Sequence, residues 1–456
     1  MSRVQTSLAL LLLPLLSIAA CQRASTERTE PQTDAVVFTG FTLIDGTGRP
    51  AVPNSAMTIE EGRIQWVGPA AELKAPAGAT TVDLTGKFVM PGLINLHGHV
   101  GNMVGLVQDP KLYTRQTVEH DLKMYASYGV TTMLSLGIDT QDLIFDVRAE
   151  QRKGRPTMAR VYTAGLGLVY KGGFGGGLTV PGIPTPVIGS ASEVDAAVAE
   201  QAKKGVDFLK FWTDDAYGSV KRMPADIADA IIKSGHKHGL RVIAHVFYLE
   251  DAKHLAASGI DALAHSVRDK PVDQELIDAM KRNGTWLAAA SLTRELALRS
   301  YATPPPFLND PFFIRSTTPD VLATLASPEY QKKMAADPNL KKHPVAEAIE
   351  MKNLKTLADA GVRYGFGTDT GVPGRFHGYF EHVELTRMVD SGLTPMQAIV
   401  AATGSAAEFL GAKDLGTLEA GKWADLMVLQ RDPLADINNS RTIESVYIAG
   451  GKVHPK

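Results

Sequence analysis

An alternation through the middle of the chain limits its fold most. Short β-prone runs, "GLINLH", "GVTTMLSLG", "RVYTAG", "VDFLKFW", "LRVIAHVF", "IDALAHS", "TWLAAAS" and "VRYGFGTD", recur in order. Between them lie segments such as "ADIADAIIKSGHKHG", "DQELIDAMKRNG" and "AEAIEMKNLKTLADAG", whose apolar residues return at helical spacing. Strands of about five or six residues alternating with helices of about ten or more indicate parallel βα units, because a parallel return needs a crossover long enough to hold a helix. About eight such units predict an α/β fold, a closed, distorted (β/α)8 TIM barrel rather than an open sheet.

A second pattern brackets the first. "AVVFTGFTLIDGTG", "AMTIEEGRIQWVG" and "TTVDLTGKFVMPG" precede the alternation, and "KWADLMVLQR" and "IESVYIAGGKV" follow it. These are β-rich runs punctuated by Asp-Gly and Glu-Gly turns. They predict a small β-sandwich domain formed from both chain ends, residues 35–90 with 413–456, around a barrel of residues 91–412. A chain of 456 residues is long enough for both. Its net charge of -2, with no arginine/lysine block, offers no electrostatic case for nucleic acid.

Two connections exceed a plain βα turn. One is the glycine-rich "YKGGFGGGLTVPGIPTP" after the third strand; the other runs from about Arg294 to His343 after the seventh and contains Pro304, Pro305 and Pro306. Long loops of this kind sit over the C-terminal mouth of a barrel.

The N-terminus has a different character. "MSRVQTSLALLLLPLLSIAAC" has a basic start at Arg3, an apolar stretch from Leu8 to Leu16 and small residues before Cys21. Residues 1–20 read as a secretory signal, too short for a comfortable membrane span. Cys21 is the only cysteine, so no intramolecular disulfide forms. Residues 21–34 read as a polar, flexible tether. Ile18-Ala19-Ala20-Cys21 resembles the lipobox of bacterial lipoproteins. That resemblance implies lipidation at Cys21 and a membrane anchor on the periplasmic side of the bacterial cell envelope. Gln22 in place of aspartate is similar to outer-membrane sorting signals. The alternative is an ordinary cleaved signal with a chance cysteine.

Polar residues fall at the strand ends. His97 and His99 end the first strand, Lys210 sits in the fourth, His245 ends the fifth, His265 the sixth and Asp369 the eighth. A spacing of two puts His97 and His99 on one face of a strand. Imidazole nitrogen and carboxylate oxygen suit zinc and related divalent ions. Taken singly, a strand histidine is usually a core or surface residue, and Asp369 in "GTDTG" reads as a turn or helix cap. Together they predict a site for one or two divalent ions, zinc first. Lys210 is anomalous, since an ammonium in the apolar run "DFLKFW" is costly to bury and repels metals. A carbamate formed on its amine with CO2 would remove the conflict. Among the other histidines only His377 and His382 are candidates near the mouth.

The order His-x-His, Lys, His, His, Asp resembles the metal-dependent amidohydrolase superfamily. So do "DGTG", "EEGRIQWVG", "PGLINLHGH", "GLTPMQAIVAATGSAAEFLG" and "GTLEAGKWADLMVL". The nearest branch is similar to the imidazolonepropionase and Xaa-Pro dipeptidase (prolidase) group. The resemblance implies a bent β-sandwich plus a distorted barrel, and a hydrolase with one or two divalent metals. It implies that His97, His99 and Asp369 hold one metal and His245 and His265 the other, with N6-carboxylated Lys210 between them. Asp369 is then the general base and later the acid.

Three positions depart from the family pattern. Asn95 stands where aspartate is frequent, Phe174 where dipeptidase-like members carry histidine, and Phe247 where a tyrosine often follows the strand-five histidine. Phe174, Phe247, Tyr248, Arg268 and His377 are the expected substrate contacts. Asp214 and Asp215 either contact substrate or hold Arg268, or else cap their loop. The expected substrate is a small molecule carrying an amide C–N bond: a dipeptide, an N-acyl amino acid or a xenobiotic amide. A lactone, carbamate or cyclic amide is the alternative substrate. An inactive envelope binding protein is the alternative from another class, although none of the six ligands is missing. A homo-oligomer is expected.

Overall fold

A computed structural model describes residues 34–453. The signal segment, Cys21 and all of the tether but Asp34 lie outside the described residues. Among the described residues no helix is long and apolar enough to cross a membrane.

The two chain ends meet in one mixed sheet of eight strands. Val36–Leu43, Val52–Glu60, Arg63–Pro69, Thr80–Asp83 and Phe88–Pro91 come from the N-terminal side. Leu426–Leu429, Ile443–Ile448 and Gly451–Val453 come from the C-terminal side. The seam is antiparallel, with Leu426 opposite Pro91 and Leu429 opposite Phe88. Phe38, Phe41, Met57, Ile59, Ile64, Leu426 and Val428 form an apolar core of this domain's own. Burying each large side chain contributes roughly 1.5–3 kcal/mol, which is why the two ends stay together. The Glu-Gly signal is a two-residue hairpin turn: Glu61 and Gly62 have φ of 50° and 81° between paired Glu60 and Arg63. A turn with positive φ at both central positions matches the twist of the strands it joins.

The barrel strands are Leu93–Gly98, Val130–Ser135, Arg160–Thr163, Leu209–Trp212, Val242–His245, Ala262–Ala264 and Trp286–Ala289. Neighbours pair in parallel. The third and fourth are joined by Asp207 N–H donating to Thr163 O and Leu168 N–H to Lys210 O, both 2.8 Å. The eighth, "VRYGFGTD", is expected as a strand but is held only by isolated bridges. Gly365 N–H donates to Leu287 O at 3.0 Å and Leu96 N–H to Phe366 O at 2.8 Å, which closes the ring. Its glycines explain the irregular backbone. A Cβ on Gly365 would lie 2.7 Å from Ala288 O, and one on Gly367 2.8 Å from His97 N.

The crossover helices follow from their sequence. Ala225–Lys237 buries Ile227, Ala228, Ile231 and Ile232 on one face. Gln274–Asn283 starts where the Asp273 carboxylate accepts from Leu276 N–H and ends at Gly284, φ 70°.

The 294–343 connection is less loop-like than its prolines imply. It forms Thr293–Ser300, Pro311–Ile314, Pro319–Ala326 and Pro328–Ala335. The last three open on proline, whose missing N–H costs nothing at a helix start. Tyr301 and Phe313 pack with Phe376, Tyr379 and Phe380 in a separate aromatic cluster. This wall of the mouth therefore has its own core.

Candidate metal centre

The first barrel strand is buried along its whole length, and His97 and His99 stand at its C-terminal end. Gly98 between them is required by space: a Cβ there would lie 2.3 Å from the Tyr125 hydroxyl. That hydroxyl pairs with Thr370 Oγ1 at 2.6 Å, which ties the helix Arg115–Ser127 to the eighth segment.

Asp369 and His265 both adopt left-handed backbone, φ 61° and 71°. Each such residue costs of the order of 1–3 kcal/mol and persists only where its surroundings hold it. Asp369 N–H donates to His97 O at 2.7 Å, and His265 N–H to Ala289 O at 2.8 Å. The Asp369 Oδ1 lies 2.8 Å from His99 Nε2 and 3.4 Å from His97 Nε2. Ligand atoms of these three residues all lie within 4.8 Å of one another.

Burial pushes the Asp369 carboxyl up, but the Arg375 guanidinium and the adjacent histidines outweigh it and hold it well below the usual range. Burial drives the His97 and His265 imidazoles well below theirs. Asp369 therefore presents an ionised carboxylate, and His97 and His265 neutral imidazoles, the forms that ligate metals.

The other three predicted ligands surround the cluster without joining it. The His265 ring lies tilted 4.7 Å from His97 and edge-on 4.5 Å from His245, measured between ring centres. His245 Nε2 is taken by Asp214 Oδ2 at 2.9 Å. Burial lowers the His245 pKa to about 4 against the pull of Asp214. Lys210 is fully buried, with its Nζ 5.4 Å from the centre of the Trp212 ring and without a hydrogen-bond partner. Burial lowers its pKa to about 7, with Asp369 opposing.

The residues fit a divalent ion. Two imidazoles and a carboxylate converge, and buried Nδ1 atoms of His97, His99 and His265, with Lys210 Nζ, have no hydrogen-bond partner. Unpartnered buried polar atoms are costly, and four of them on residues around one cluster fit a site that another group completes.

The Asn95 departure is compensated. Its Nδ2 donates to Glu381 Oε1 at 2.9 Å and Thr368 Oγ1 at 3.0 Å, while its Oδ1 accepts from His97 N–H at 3.0 Å. Glu381 supplies the carboxylate that Asn95 lacks, and burial raises its pKa.

These strand ends open on a cavity of about 220 Å3. Phe174 lines it, its ring tilted 5.4 Å from that of His245. The other four expected contacts lie outside its lining. Phe247 is buried between Tyr217 and Tyr248, with Arg268 over its ring. The Tyr248 hydroxyl donates to Asp215 Oδ1 at 2.7 Å. Arg268 is fully buried and donates from Nη1 to Val246 O and Ser266 O. His377 meets Tyr125 edge-on, and its Nε2 pairs with His99 O at 2.8 Å. Backbone carbonyls, a carboxylate or rings hold each of the four away from the cavity, although Arg268 Nε and Nη2 stay without a hydrogen-bond partner. His382 is likewise buried, between Tyr128 O and Ser440 Oγ. Asp214 and Asp215 cap their loop through Ala216 N–H and Gly218 N–H, and Asp214 also reaches to 3.9 Å from Arg268.

Sequence reasoning missed Arg294 and Arg375, which line the cavity, together with Ile138 and Trp212. Arg375 Nη1 pairs with Asp369 Oδ2, and Arg294 Nε lies 3.8 Å from the same oxygen. A usable signal was present, since Arg375 follows Asp369 by six residues in "GTDTGVPGRFHG" and Arg294 opens the long connection.

The amidohydrolase family profile matches residues 88–453. A stretch of 259 residues is 27% identical to an uncharacterised protein of Mycobacterium tuberculosis, covering 55% of this chain and 61% of that protein. The chain thus spans about three fifths of the length of the curated relatives it first matches. A solved Bifidobacterium longum protein assigned as a prolidase is 27% identical, with a TM-score of 0.72, covering 93% of this chain and 96% of that one. A solved Xaa-Pro dipeptidase with bound methionine in its active site is 22% identical, with a TM-score of 0.71, covering 92% and 99%. The latter likeness carries the fold.

Proposed function

Because the chain belongs to the amidohydrolase family, we propose that it is a metal-dependent hydrolase that cleaves an amide C–N bond in a small molecule, such as a dipeptide, an N-acyl amino acid or a xenobiotic amide. The observation that carries this reading is the convergence of His97, His99 and Asp369 at the floor of a cavity over the barrel mouth. The 27% identity to a protein assigned as a prolidase supports the bond type.

In this reading His97, His99 and Asp369 hold a divalent ion, zinc first, and His245, His265 and N6-carboxylated Lys210 take part in a second position. The metal, when bound, supplies Lewis acidity toward the carbonyl and a nucleophilic water near neutral pH. Asp369 accepts the proton of the attacking water and returns it to the leaving nitrogen. Arg375 keeps that carboxylate ionised between turnovers. The left-handed backbone at Asp369 aims its carboxylate at the histidines before substrate arrives. Phe174, Ile138 and Trp212 exclude bulk water from the reacting bond.

The test is elemental analysis of the purified chain followed by a metal-loaded screen of dipeptides, N-acyl amino acids, aryl amides, esters and lactones. Release of amine from an amide, abolished by a chelator and restored by zinc, is the expected result. A metal-replete protein inert on every class would overturn the reading in favour of a binding role. Turnover of lactones or carbamates alone would keep the metal chemistry and change the bond.

The N-terminal pattern supports a periplasmic-side lipoprotein anchored at Cys21, with Gln22 favouring the outer membrane. Cys21→Ser should move the protein from the membrane fraction to the soluble one. Sedimentation equilibrium tests the homo-oligomer, which rests on the sequence reading alone.

A further inference from the structure

A second pocket, of about 200 Å3, lies at the other end of the barrel. It sits where the third strand begins, whereas the metal centre sits where strands finish. Its walls come from both domains. The barrel supplies Arg148 and Arg152 from the helix Leu143–Lys153, and Arg160 and Tyr162 from the strand Arg160–Thr163. The β domain supplies Arg63, Asp414 and Trp423.

Four guanidiniums and one carboxylate line this pocket. Arg148 and Arg160 are the deep pair, with side chains 10% and 12% exposed; Arg63 and Arg152 form the rim at 37% and 54%. The carboxylates behind the walls do not balance them. Asp207 is shared by Arg148 and Arg152, Asp425 takes Arg160, and Asp414 takes Arg63. Three carboxylates thus serve four arginines. An arginine has five N–H donors, and none of the four spends more than two on protein acceptors. Two of them also crowd one indole: the guanidinium carbon of Arg63 lies 3.8 Å and that of Arg160 5.0 Å from the centre of the Trp423 ring. Arg152 lies 5.7 Å from the centre of the Tyr162 ring. Like charges gathered at this spacing repel, the more so where burial removes screening water. A single anion with several oxygens relieves that repulsion and takes up the spare donors.

We propose that this pocket binds a phosphate group, presented by a small phosphate ester or by the headgroup of an anionic phospholipid, and that the bound group ties the β domain to the barrel. Guanidinium forks match phosphate oxygens in pairs. A tetrahedral phosphate can accept from donors on several walls at once, whereas a carboxylate has two oxygens in one plane. The ligand contacts Arg63 on one domain and Arg148, Arg152 and Arg160 on the other, so occupancy favours the native pairing of the domains by mass action. None of these residues takes part in the proposed hydrolysis.

The test is calorimetric titration of the metal-loaded full chain with phenyl phosphate and with inorganic phosphate, and sedimentation with phosphatidylglycerol vesicles against phosphatidylcholine vesicles. One-to-one binding is expected, with a rise of a few degrees in the thermal unfolding midpoint. Arg63→Gln and Arg152→Gln should each weaken it about tenfold or more, the loss of a charge-assisted contact. Both stand at the rim: Asp414 is half exposed without Arg63, and Asp207 keeps Arg148 without Arg152, so both variants fold. Arg49→Gln removes the same charge from an exposed arginine outside the pocket and should bind like the parent.

Arginine-dependent binding of phenyl phosphate or inorganic phosphate makes the ligand a soluble phosphate compound. Binding of phosphatidylglycerol vesicles alone, lost in the same two variants, keeps the phosphate site and makes its source the lipid headgroup. Binding that survives in either variant would overturn the proposal and put the anion elsewhere, the metal centre first. Equal weakening by Arg49→Gln would reduce the effect to net charge and overturn it too. So would failure of all three probes to bind.

Discussion

The cavity has two walls of different construction. One consists of strand ends: His97, His99, His245, His265 and Asp369 stand where the first, fifth, sixth and eighth barrel segments finish. The other consists of connections: Phe174, Val180, Arg294 and Arg375 come from segments whose path no strand dictates. The strand-end wall is positioned by the parallel ladder and by backbone bonds such as Asp369 N–H to His97 O. The connection wall is positioned by packing of its own, the aromatic cluster around Phe313 and the close approach of Gly175 to Trp212. Such a division lets a barrel keep its chemistry on the rigid wall and change its substrate on the other.

Breaking the strand-end wall should remove chemistry for any substrate. Asp369→Asn is expected to lower kcat by about 10²–10⁴-fold while retaining most of the metal. Full activity in that variant would disprove the proton role. Lys210→Ala should lose most of its metal by elemental analysis and about tenfold or more in rate, with partial rescue by short carboxylates. Unchanged metal content would refute a bridging lysine.

Breaking the connection wall should instead depend on the substrate. Phe174→Ala is expected to raise KM for apolar substrates by about tenfold, with a smaller change in kcat. Phe247→Ala is the contrasting control. It is buried away from the cavity and should cost about 3 kcal/mol in denaturant unfolding with KM little changed. A selective rise in KM for Phe247→Ala would show that the two phenylalanines have been assigned to the wrong walls.

The smallest effect is a pH slope. Burial pushes His382 down to about 3, against its bond to Tyr128 O, whereas an unfolded histidine titrates near 6.5. The unfolded chain therefore binds the proton first on acidification. The contribution of His382 is present above about pH 6.5 and is lost as pH falls toward 3, with a limiting slope of about 1.4 kcal/mol per pH unit. Unfolding midpoints of the parent chain and His382→Gln at about pH 7 and 5 should show the shallower acid loss in the variant. Parallel slopes would place the acid sensitivity elsewhere.

How much was legible differs between the walls for a physical reason. His97, His99, His245, His265 and Asp369 could be picked out because a strand of regular length ends at a known side of a barrel. Phe174 was singled out by the family resemblance, as a departure from histidine, and it lines the cavity. Phe247, Tyr248, Arg268 and His377 were expected at the substrate and lie elsewhere. Each is one to several residues past a strand end, where a small backbone rotation decides between cavity and core. For Arg268 the deciding contacts are two carbonyls, Val246 O and Ser266 O, which no spacing rule reveals. The proline-rich 294–343 connection read as a loop, but its helices and the aromatic cluster that orders them depend on contacts with Phe376, Tyr379 and Phe380, residues distant in sequence.

The sequence by itself determined the barrel, the domain made from both chain ends and the residues at the strand ends, because hydrophobic periodicity and strand length are local quantities. Tertiary structure alone decided three things: that His245 faces Asp214, that Glu381 supplies the carboxylate missing at Asn95, and that two arginines close the cavity. Each depends on side chains brought together from distant segments, and electrostatic partnership is set by distance in space rather than along the chain.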